Sequence, residues 1–282
     1  MNRTDILLWL AIQEDMGHRD ITTEATIDPH LLGEAVVLGR EPFVLSGSTP
    51  FRRVFELLDP EIRVEALFQE GEAIRAGIPV LKLQGRVRTL LGAERTALNL
   101  LQRLSGIATL TRQMAEAISG TPCRLLDTRK TTPLWRTLEK EAVRHGGGFN
   151  HRFGLFDGIL IKDNHVAAAG SVTEAVRRAR DRAPHTLKIE VEVESLEELE
   201  EALSAGADII LLDNFSLEML KEAVTRNNHA NNHRTILEAS GGVTLDTIRA
   251  IAQTGVDLVS CGALTHSARA IDLSLELSGP CG

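Results

Sequence analysis

The sequence predicts an α/β protein in which an N-terminal α+β domain precedes a parallel α/β barrel of fewer than eight strands. Two observations predict this fold class. In the first part of the chain, β-type segments are separated by glycine-containing turns. After Gly120, apolar runs alternate with amphipathic helical stretches. The last four strand ends lie roughly 20–30 residues apart, as the βα units of a barrel require.

One long helix and three β-type segments are predicted for the N-terminal domain. Leucines at helical spacing predict a helix from Leu90 to Ile118, with a break near Ser105 and Gly106. Glycine turns interrupt the third β-type segment. The three segments are 34–46, 61–68 and 71–88.

Six strands are predicted after Gly120, which is short of a complete eight-stranded barrel. The polar segment 226–233 is predicted to be a loop. The strands are expected at 123–126, 158–161, 187–193, 208–212, 235–238 and 257–260, and helices at 171–182, 195–204, 216–225 and 244–253.

We expect the domain boundary between residues 105 and 106. The N-terminal domain then takes residues 1–105, and the barrel takes residues 106–267. We expect residues 268–282 to pack back on the N-terminal domain.

Composition excludes several classes of protein. Of the 282 residues, 43% are hydrophobic and 25% are charged, which are globular values that rule out wholesale disorder. No apolar run is long enough to span a membrane, and the N-terminal residues lack the features of a secretory signal. The cysteines, Cys123, Cys261 and Cys281, cannot all pair and match no zinc pattern, which indicates a reduced, cytoplasmic protein.

Nucleic-acid binding is not expected, because the net charge is −8 and aromatic residues make up only 4% of the chain. Residues 127–152 nevertheless carry six Lys or Arg against three Asp or Glu. This segment therefore has a net charge of +3, and the rest of the chain carries −11. Such a basic segment suggests a site for a small anion, and a solvated helix face with mixed charges is the alternative.

Cationic side chains follow the predicted strands at the ends where α/β folds form active sites. They suit a substrate with more than one carboxylate or phosphate, because guanidinium groups bind such anions bidentately. Structural ion pairs with Glu139 and Glu141 are the alternative. The candidate cations are Arg129, Lys130, His151, Arg152 and Lys162.

Two carboxylates, Glu192 and Asp213, stand at successive strand ends. They could hold Mg²⁺, bind sugar hydroxyls or stabilise positive charge on a ribose ring, with helix capping as the alternative. Glu190 and Glu194 share a strand face with Glu192, so spacing alone does not choose among the three.

Glycine-containing loops follow the last two strands. Ser240, Gly241 and Gly242 precede the predicted helix 244–253, and Gly262 follows the final strand. Loops at these positions form the phosphate site of many barrels. Cations, carboxylates and glycines together predict that a phosphosugar and an anionic co-substrate meet at the barrel mouth.

Three further features are interpreted without metal binding or covalent catalysis. His229 and His233 could ligate a metal, but the surrounding asparagines favour a polar loop. Lys162 could form a Schiff base, although its anion-binding neighbours favour an electrostatic role. Cys261 has no obvious base nearby and is interpreted as a packing residue.

These motifs resemble those of the quinolinate phosphoribosyltransferases, a family of type II phosphoribosyltransferases. The resemblance extends over essentially the whole chain, in order. It rests on DTRK at 127–130, GGGFNHR at 146–152, IKDNH at 161–165, EVEVE at 190–194, LLDN at 211–214, EASGG at 238–242 and GALTHS at 262–267, with Glu14, Asp15, Asp20–Thr22, Glu94, Arg95, Leu98 and Asn99 nearer the N-terminus.

The resemblance implies an N-terminal α/β sandwich followed by an incomplete α/β barrel. It also implies synthesis of nicotinate mononucleotide from quinolinate and phosphoribosyl pyrophosphate (PRPP) for NAD biosynthesis, with Mg²⁺ and release of pyrophosphate and CO₂. The family works as a homodimer with shared active sites, and some members assemble into hexamers. No nucleic acid and no membrane are implied as partners.

Residue roles follow from the same resemblance. Quinolinate carboxylates would be bound by the cations after the strands, with Arg95 reaching in from the partner subunit. Lys130 would contact both substrates. Glu192 and Asp213 would hold the ribose hydroxyls and the metal and stabilise the transition state. The residues assigned to quinolinate are Arg95, Arg129, His151, Arg152 and Lys162, and those assigned to the 5-phosphate are Ser240, Gly241 and Gly262.

The chain departs from the family at Leu134 and Trp135, where a glycine is usual, and at Glu141 and His145. Two other functions remain as alternatives. One is a related transferase of the same fold associated with molybdenum transport. The other is a protein that binds a pyridine acid or phosphosugar without catalysis, against which the intact Lys130, Glu192 and Asp213 argue.

Overall fold

A computed structural model of the chain describes residues 2–229 and 235–280, which fall into two compact units. None of the described helices combines the length and the apolar content that a membrane span requires. The predicted domain boundary at residues 105 and 106 stays a prediction. The first unit takes the chain up to Arg112, Thr132–Gly147 and the segment from Ala268 onward, and the second takes Gln113–Thr131 and Gly148–Ser267.

Helices and strands follow one another along the chain. The helices are α1 (Arg3–Met16), α2 (Ile21–Thr26), α3 (Ser48–Leu58), α4 (Val87–Ala117), α5 (Arg136–His145), α6 (Asp163–Ala169), α7 (Val172–Arg182), α8 (Leu196–Ser204), α9 (Leu217–His229), α10 (Ile248–Ala252) and α11 (Ala263–His266). The strands are β1 (Leu32–Gly39), β2 (Phe43–Val44), β3 (Arg63–Ala66), β4 (Ala73–Ile74), β5 (Pro79–Arg86), β6 (Arg124–Leu126), β7 (Ile159–Ile161), β8 (Ile189–Val193), β9 (Ile209–Asp213), β10 (Ile236–Ser240), β11 (Leu258–Ser260) and β12 (Leu273–Pro280).

The first unit contains a four-stranded antiparallel sheet with the strand order β12-β1-β5-β3. Its buried side chains, such as Val37 and Leu83, pack with Phe51 and Phe55 of α3 in one hydrophobic core. The C-terminal strand β12 pairs with β1, with Leu275 opposite Val37. The C-terminal segment is therefore part of the first sheet.

The second unit contains a six-stranded parallel sheet with the strand order β6-β11-β10-β9-β8-β7. Ser240 lies opposite Asp213, and Ser260 lies opposite Leu126, so the carboxyl ends of neighbouring strands are level. Among the described residues, β6 and β7 are the two edges of this sheet and do not pair with each other. The predicted fold class, an α+β domain followed by an open parallel α/β unit, is confirmed.

The long helix α4 runs without interruption, so the predicted break near Ser105 and Gly106 is wrong. A Cβ at position 106 would overlap the carbonyl oxygen of Arg269, which shows that the glycine permits close approach of another segment. Ser105 Oγ donates to the carbonyl of Ser46 at 3.0 Å and accepts from its N–H at 3.1 Å. Both residues therefore serve packing.

Helix α9 extends to His229, so the prediction of a loop at 226–229 is wrong. The Asn227 side chain donates to the carbonyl of Thr235 at 2.7 Å and accepts from its N–H at 3.2 Å, which attaches the last turn of α9 to the start of β10. Residues 230–233, including His233, lie outside the described residues, as does Cys281.

Helix α10 begins at Ile248, four residues later than predicted. Thr244 and Thr247 form a turn in which each hydroxyl accepts from the other residue's N–H, at 3.3 and 3.0 Å. This turn separates the glycines at 241 and 242 from the helix. The predicted start of this helix at residue 244 is therefore wrong.

Leu134 has a φ of 71° and a side chain that is 60% exposed. This left-handed conformation costs a leucine about 1 kcal/mol, whereas glycine adopts it without strain. Leu134 stands where the family that the sequence resembles usually has glycine. The backbone conformation at this position therefore favours glycine, and Leu134 adopts it under strain.

The packing of α4 leads to a stability prediction for Gly106→Ala. The added methyl group meets backbone that cannot move aside, so we expect the free energy of unfolding to fall by about 2–4 kcal/mol. Gly92→Ala on the same helix is the matched control, because its Cβ would meet only the flexible end of Met16, at 2.7 Å. The free energy of unfolding of the control, measured in urea, should equal that of the parent or exceed it by up to about 1 kcal/mol. Equal effects of the two substitutions would contradict this account.

Candidate active site

The strand ends of the second unit surround a cavity of about 390 Å³. A larger cavity of about 540 Å³ in the first unit, lined by Ser46, Glu70 and His145 among others, contains none of the predicted site residues. The 390 Å³ cavity brings together eight of them. These are Arg129, Lys130, His151, Arg152, Lys162, Glu192, Asp213 and Ser240.

The cations reach this cavity from the two edge strands. Arg129 and Lys130 follow β6, and Lys162 follows β7. Phe149 forms a parallel bridge with Leu126 of β6, which brings the next residues, including Arg152, to the same edge. The basic segment 127–152 therefore contributes Arg129, Lys130 and Arg152 to the cavity wall. Strand β6 and the bridge between Leu126 and Phe149 position this segment.

Glu192 and Asp213 contribute the acidic part of the wall from the neighbouring strands β8 and β9. Glu192 forms an ion pair with Lys162. Asp213 Oδ2 accepts a hydrogen bond of 2.8 Å from the Asn214 side chain. The structure distinguishes the three glutamates that the sequence left open. Glu190 is buried, Glu192 lines the cavity and Glu194 is exposed.

Gly241 and Gly262 lie beside the residues that line the cavity. Gly241 has a φ of 95°, and a Cβ there would lie 2.9 Å from the backbone nitrogen of Asn214. A Cβ on Gly262 would lie 2.9 Å from Cδ of Lys130. Both glycines therefore allow close approach between strand-end loops.

Arg95 does not line this cavity. It is exposed on α4 and belongs to the first unit. Its predicted contact with substrate across a subunit interface stays a prediction.

Cys261 is 2% exposed, and its thiol donates to the carbonyl of Val243 at 3.4 Å. Burial raises the pKa of this thiol, which disfavours the thiolate that a nucleophile needs. The cysteine has the environment of a packing residue.

Three carboxyl groups close to this cavity are buried, those of Asp127, Glu190 and Glu238. The sequence left Glu190 open as an alternative to Glu192 and assigned no role to Asp127 or Glu238. Burial and the neighbouring Glu190 raise the pKa of Glu238 to about 7. Alternation along strands could have found two of them, because Glu190 shares a face with Glu192 and Glu238 shares a face with Ser240. Their burial could not be inferred from that pattern.

The raised pKa of Glu238 predicts how stability depends on pH. Between pH 4.5 and about 7 the folded chain retains a proton that the unfolded chain releases, so stability falls as the pH rises through this range. Glu238→Gln removes this effect. We expect the stability of the variant relative to the parent to rise by roughly 1–3 kcal/mol between pH 5 and pH 8 in urea unfolding. Glu194→Gln, at an exposed position, should show no such change, and a pH-independent difference for Glu238→Gln would contradict the assignment.

Both halves of the chain match family models. The model described as quinolinate phosphoribosyl transferase, C-terminal domain, matches residues 107–276. The model of the N-terminal domain of the same family matches residues 20–105.

Individual relatives agree with these matches. A Bacillus subtilis protein named probable nicotinate-nucleotide pyrophosphorylase (carboxylating) is 42% identical over 265 residues, which cover 94% of this chain and 90% of that protein. A Mycobacterium leprae protein named nicotinate-nucleotide pyrophosphorylase (carboxylating) is 44% identical over 270 residues, covering 95% and 94%. The crystal structure of NadC from Streptococcus pyogenes has a TM-score of 0.93 and 44% identity, covering 99% of this chain and 98% of that chain. The chain belongs to the quinolinate phosphoribosyl transferase family.

Proposed function

We propose that this protein transfers the phosphoribosyl group of PRPP to quinolinate, giving nicotinate mononucleotide, pyrophosphate and CO₂ in NAD biosynthesis. The names of its relatives support this reaction. The observation that carries the proposal is the cavity of the second unit, where four Lys and Arg side chains and two strand-end carboxylates form one wall. A doubly negative acid and a sugar that becomes positively charged need these two kinds of side chain side by side.

The cations bind the two carboxylates of quinolinate in this proposal. Burial and the neighbouring Arg129 lower the pKa of Arg152, so an added anion offsets an unfavourable environment. Arg152 also lines the cavity, so its guanidinium group can bind a carboxylate there. The acid-binding cations are Arg129, Lys130, Arg152 and Lys162.

Glu192 and Asp213 act on the ribose. The pyridine nitrogen attacks C1 of the sugar as the bond to pyrophosphate breaks, and the ring carries positive charge at that moment. Two carboxylates fixed at the ends of adjacent strands stabilise that charge without rearranging. Ribosylation makes the pyridine nitrogen cationic, which favours loss of CO₂ from the adjacent carbon. That carbon then takes a proton in place of the carboxylate.

The same two carboxylates fit a Mg²⁺ ion. Both side chains line one cavity, and Mg²⁺ binds through one or two carboxylates together with substrate phosphates. When bound, the ion supplies positive charge next to the departing pyrophosphate.

The 5-phosphate of PRPP lies at the glycine-containing loops. Ser240 lines the cavity at the end of β10, and Gly241 and Gly262 lie in the loops after β10 and β11, whose backbone N–H groups would bind the phosphate. Lys130 lies against Gly262, and the carbonyl of Lys130 accepts a hydrogen bond of 2.7 Å from the hydroxyl of Thr265. Lys130 thus stands between the acid-binding cations and the phosphate loop, where it can contact both substrates.

The active form in this proposal is a cytoplasmic homodimer with shared active sites. Arg95 supports the sharing, because it is an exposed cation that lies outside the substrate cavity of the second unit. In the dimer, Arg95 of the partner subunit completes the set of cations around quinolinate.

The reaction is tested by incubating the protein with quinolinate, PRPP and Mg²⁺ and measuring nicotinate mononucleotide. We expect product from quinolinate and a kcat/KM at least about 100-fold lower with nicotinate, because nicotinate leaves part of the cationic wall without a carboxylate to bind. Absence of product from quinolinate would refute the proposed reaction. Equal kcat/KM values for the two acids would refute the assignment of the cations.

Sharing of sites is tested by allowing Arg95→Ala and Lys130→Ala subunits to exchange. Random exchange makes half of the dimers mixed, and one of the two sites in each mixed dimer is intact, so activity should return to about one quarter of the parent value. A mixture of Arg129→Ala and Lys130→Ala is the matched control, because both residues line the same cavity. No recovery in the first mixture, despite demonstrated exchange, would contradict sharing.

A further inference from the structure

Buried acidic groups lie beneath the cations of the substrate cavity, and the reaction above gives them no role. Asp127, Glu190 and Glu238 are at most 5% exposed. Carboxyl groups are rarely buried so deeply without partners. Both Glu238 and His151 line the substrate cavity and also a second cavity of about 380 Å³ in the same unit. Glu190 lines only the second of these two cavities.

Asp127 holds the backbone that leads to Arg152. One carboxylate oxygen, Oδ1, accepts a hydrogen bond of 2.9 Å from the N–H of His151. The other, Oδ2, accepts a bond of 2.6 Å from the Asn150 side chain. The backbone at these residues is thereby tied to the end of β6.

Both ring nitrogens of His151 form hydrogen bonds with other groups of the protein. The backbone N–H of Arg152 donates to Nδ1 at 2.8 Å, so Nδ1 accepts and carries no proton. The ring proton then sits on Nε2, which lies 3.1 Å from Oε2 of Glu190. Glu238 lies on the same side, with Oε1 at 3.7 Å from Nε2. His151 therefore forms a bridge between Glu190 and the backbone of Arg152.

A metal ion at this cluster is disfavoured by the same hydrogen bonds. His151, Glu190 and Glu238 have ligand atoms within 4.8 Å of one another, which is close enough for a shared ion. Coordination through Nε2 would move the ring proton to Nδ1, where it would face the N–H of Arg152. The hydrogen-bond donors and acceptors around His151 therefore fit a residue that supports Arg152, and not a metal ligand.

We propose that Glu190, acting through neutral His151, is a positioning residue that sets Arg152 for one carboxylate of the acid substrate. This inference rests on the proposed function. Arg152 is held at its backbone N–H by His151 and at Nη1 by the carbonyl of Gly158, at 3.0 Å. These two attachments hold Arg152 at the wall of the substrate cavity, where its guanidinium group can meet the carboxylate. His151 itself does not act as a cationic ligand of the acid.

The test compares Glu190→Gln with Glu190→Ala. The glutamine carbonyl can still accept the Nε2–H of His151, whereas alanine cannot. We expect Glu190→Ala to raise the KM for quinolinate at least about tenfold and to leave the KM for PRPP within about twofold. Glu190→Gln should remain within about threefold of the parent for both substrates. Equal losses in the two variants, or equal changes in both KM values, would overturn the proposal.

Two measurements at His151 complete the test. Glutamine at this position can donate to Glu190, whereas lysine supplies a positive charge, so His151→Gln should keep a KM for quinolinate at least about fivefold lower than His151→Lys. The reverse order would show that the charge of His151 binds the acid. Nitrogen NMR of the parent protein at pH 7.5 should show the ring proton on Nε2, and this measurement does not depend on any variant folding. A proton on Nδ1 would overturn the proposal.

The parent protein in the same assay separates this inference from the proposed function. If the parent makes no product from quinolinate and PRPP, the proposed function fails. If the parent is active and Glu190→Gln loses as much as Glu190→Ala, only the positioning role of Glu190 fails.

Discussion

The parallel pairing of six strands is the constraint on which the rest of the site depends. Parallel strands place all their carboxyl ends at one edge, and level register keeps those ends beside each other. Ser240 can stand opposite Asp213 only in this register, and a shift of one strand by one residue would turn its side chains to the other face. Side chains that are far apart in sequence thus meet without any direct interaction between their loops.

The sequence was informative wherever a local pattern determines the structure. Apolar runs separated by amphipathic helices predicted the six parallel strands, and polar residues after those runs predicted most of the cavity wall. Long-range packing was not predictable in the same way. The break expected at Gly106 is a close contact with Arg269, more than 150 residues away in the chain. Likewise, the burial of Glu190 and Glu238 depends on strands and loops that no local pattern brings together. The role predicted for Arg95 concerns a second copy of the chain.

Charge is distributed in layers around the cavity. The whole chain has a net charge of −8, yet the wall of this cavity carries four Lys and Arg side chains. Placing so many like charges together is unfavourable unless opposite charges lie close by. Glu192 pairs with Lys162 at the surface of the wall, buried Glu190 acts electrostatically on Arg152, and buried Asp127 accepts from the N–H of His151. The acidic residues therefore reduce the electrostatic repulsion among the cations of the wall in the substrate-free protein.

The open sheet separates the two halves of the proposed site. Acid-binding cations follow the edge strands β6 and β7, whereas the residues proposed for ribose and phosphate stand on the four inner strands. Edge strands have one neighbour in the sheet, and inner strands have two, so replacement of an edge loop disturbs less hydrogen-bonded structure. An acceptor with a different arrangement of charges could therefore be accommodated by exchanging the loops after β6 and β7. The residues on the inner strands that bind the activated sugar would stay in place. Such a fold can therefore evolve to use a different acceptor while keeping the same sugar donor.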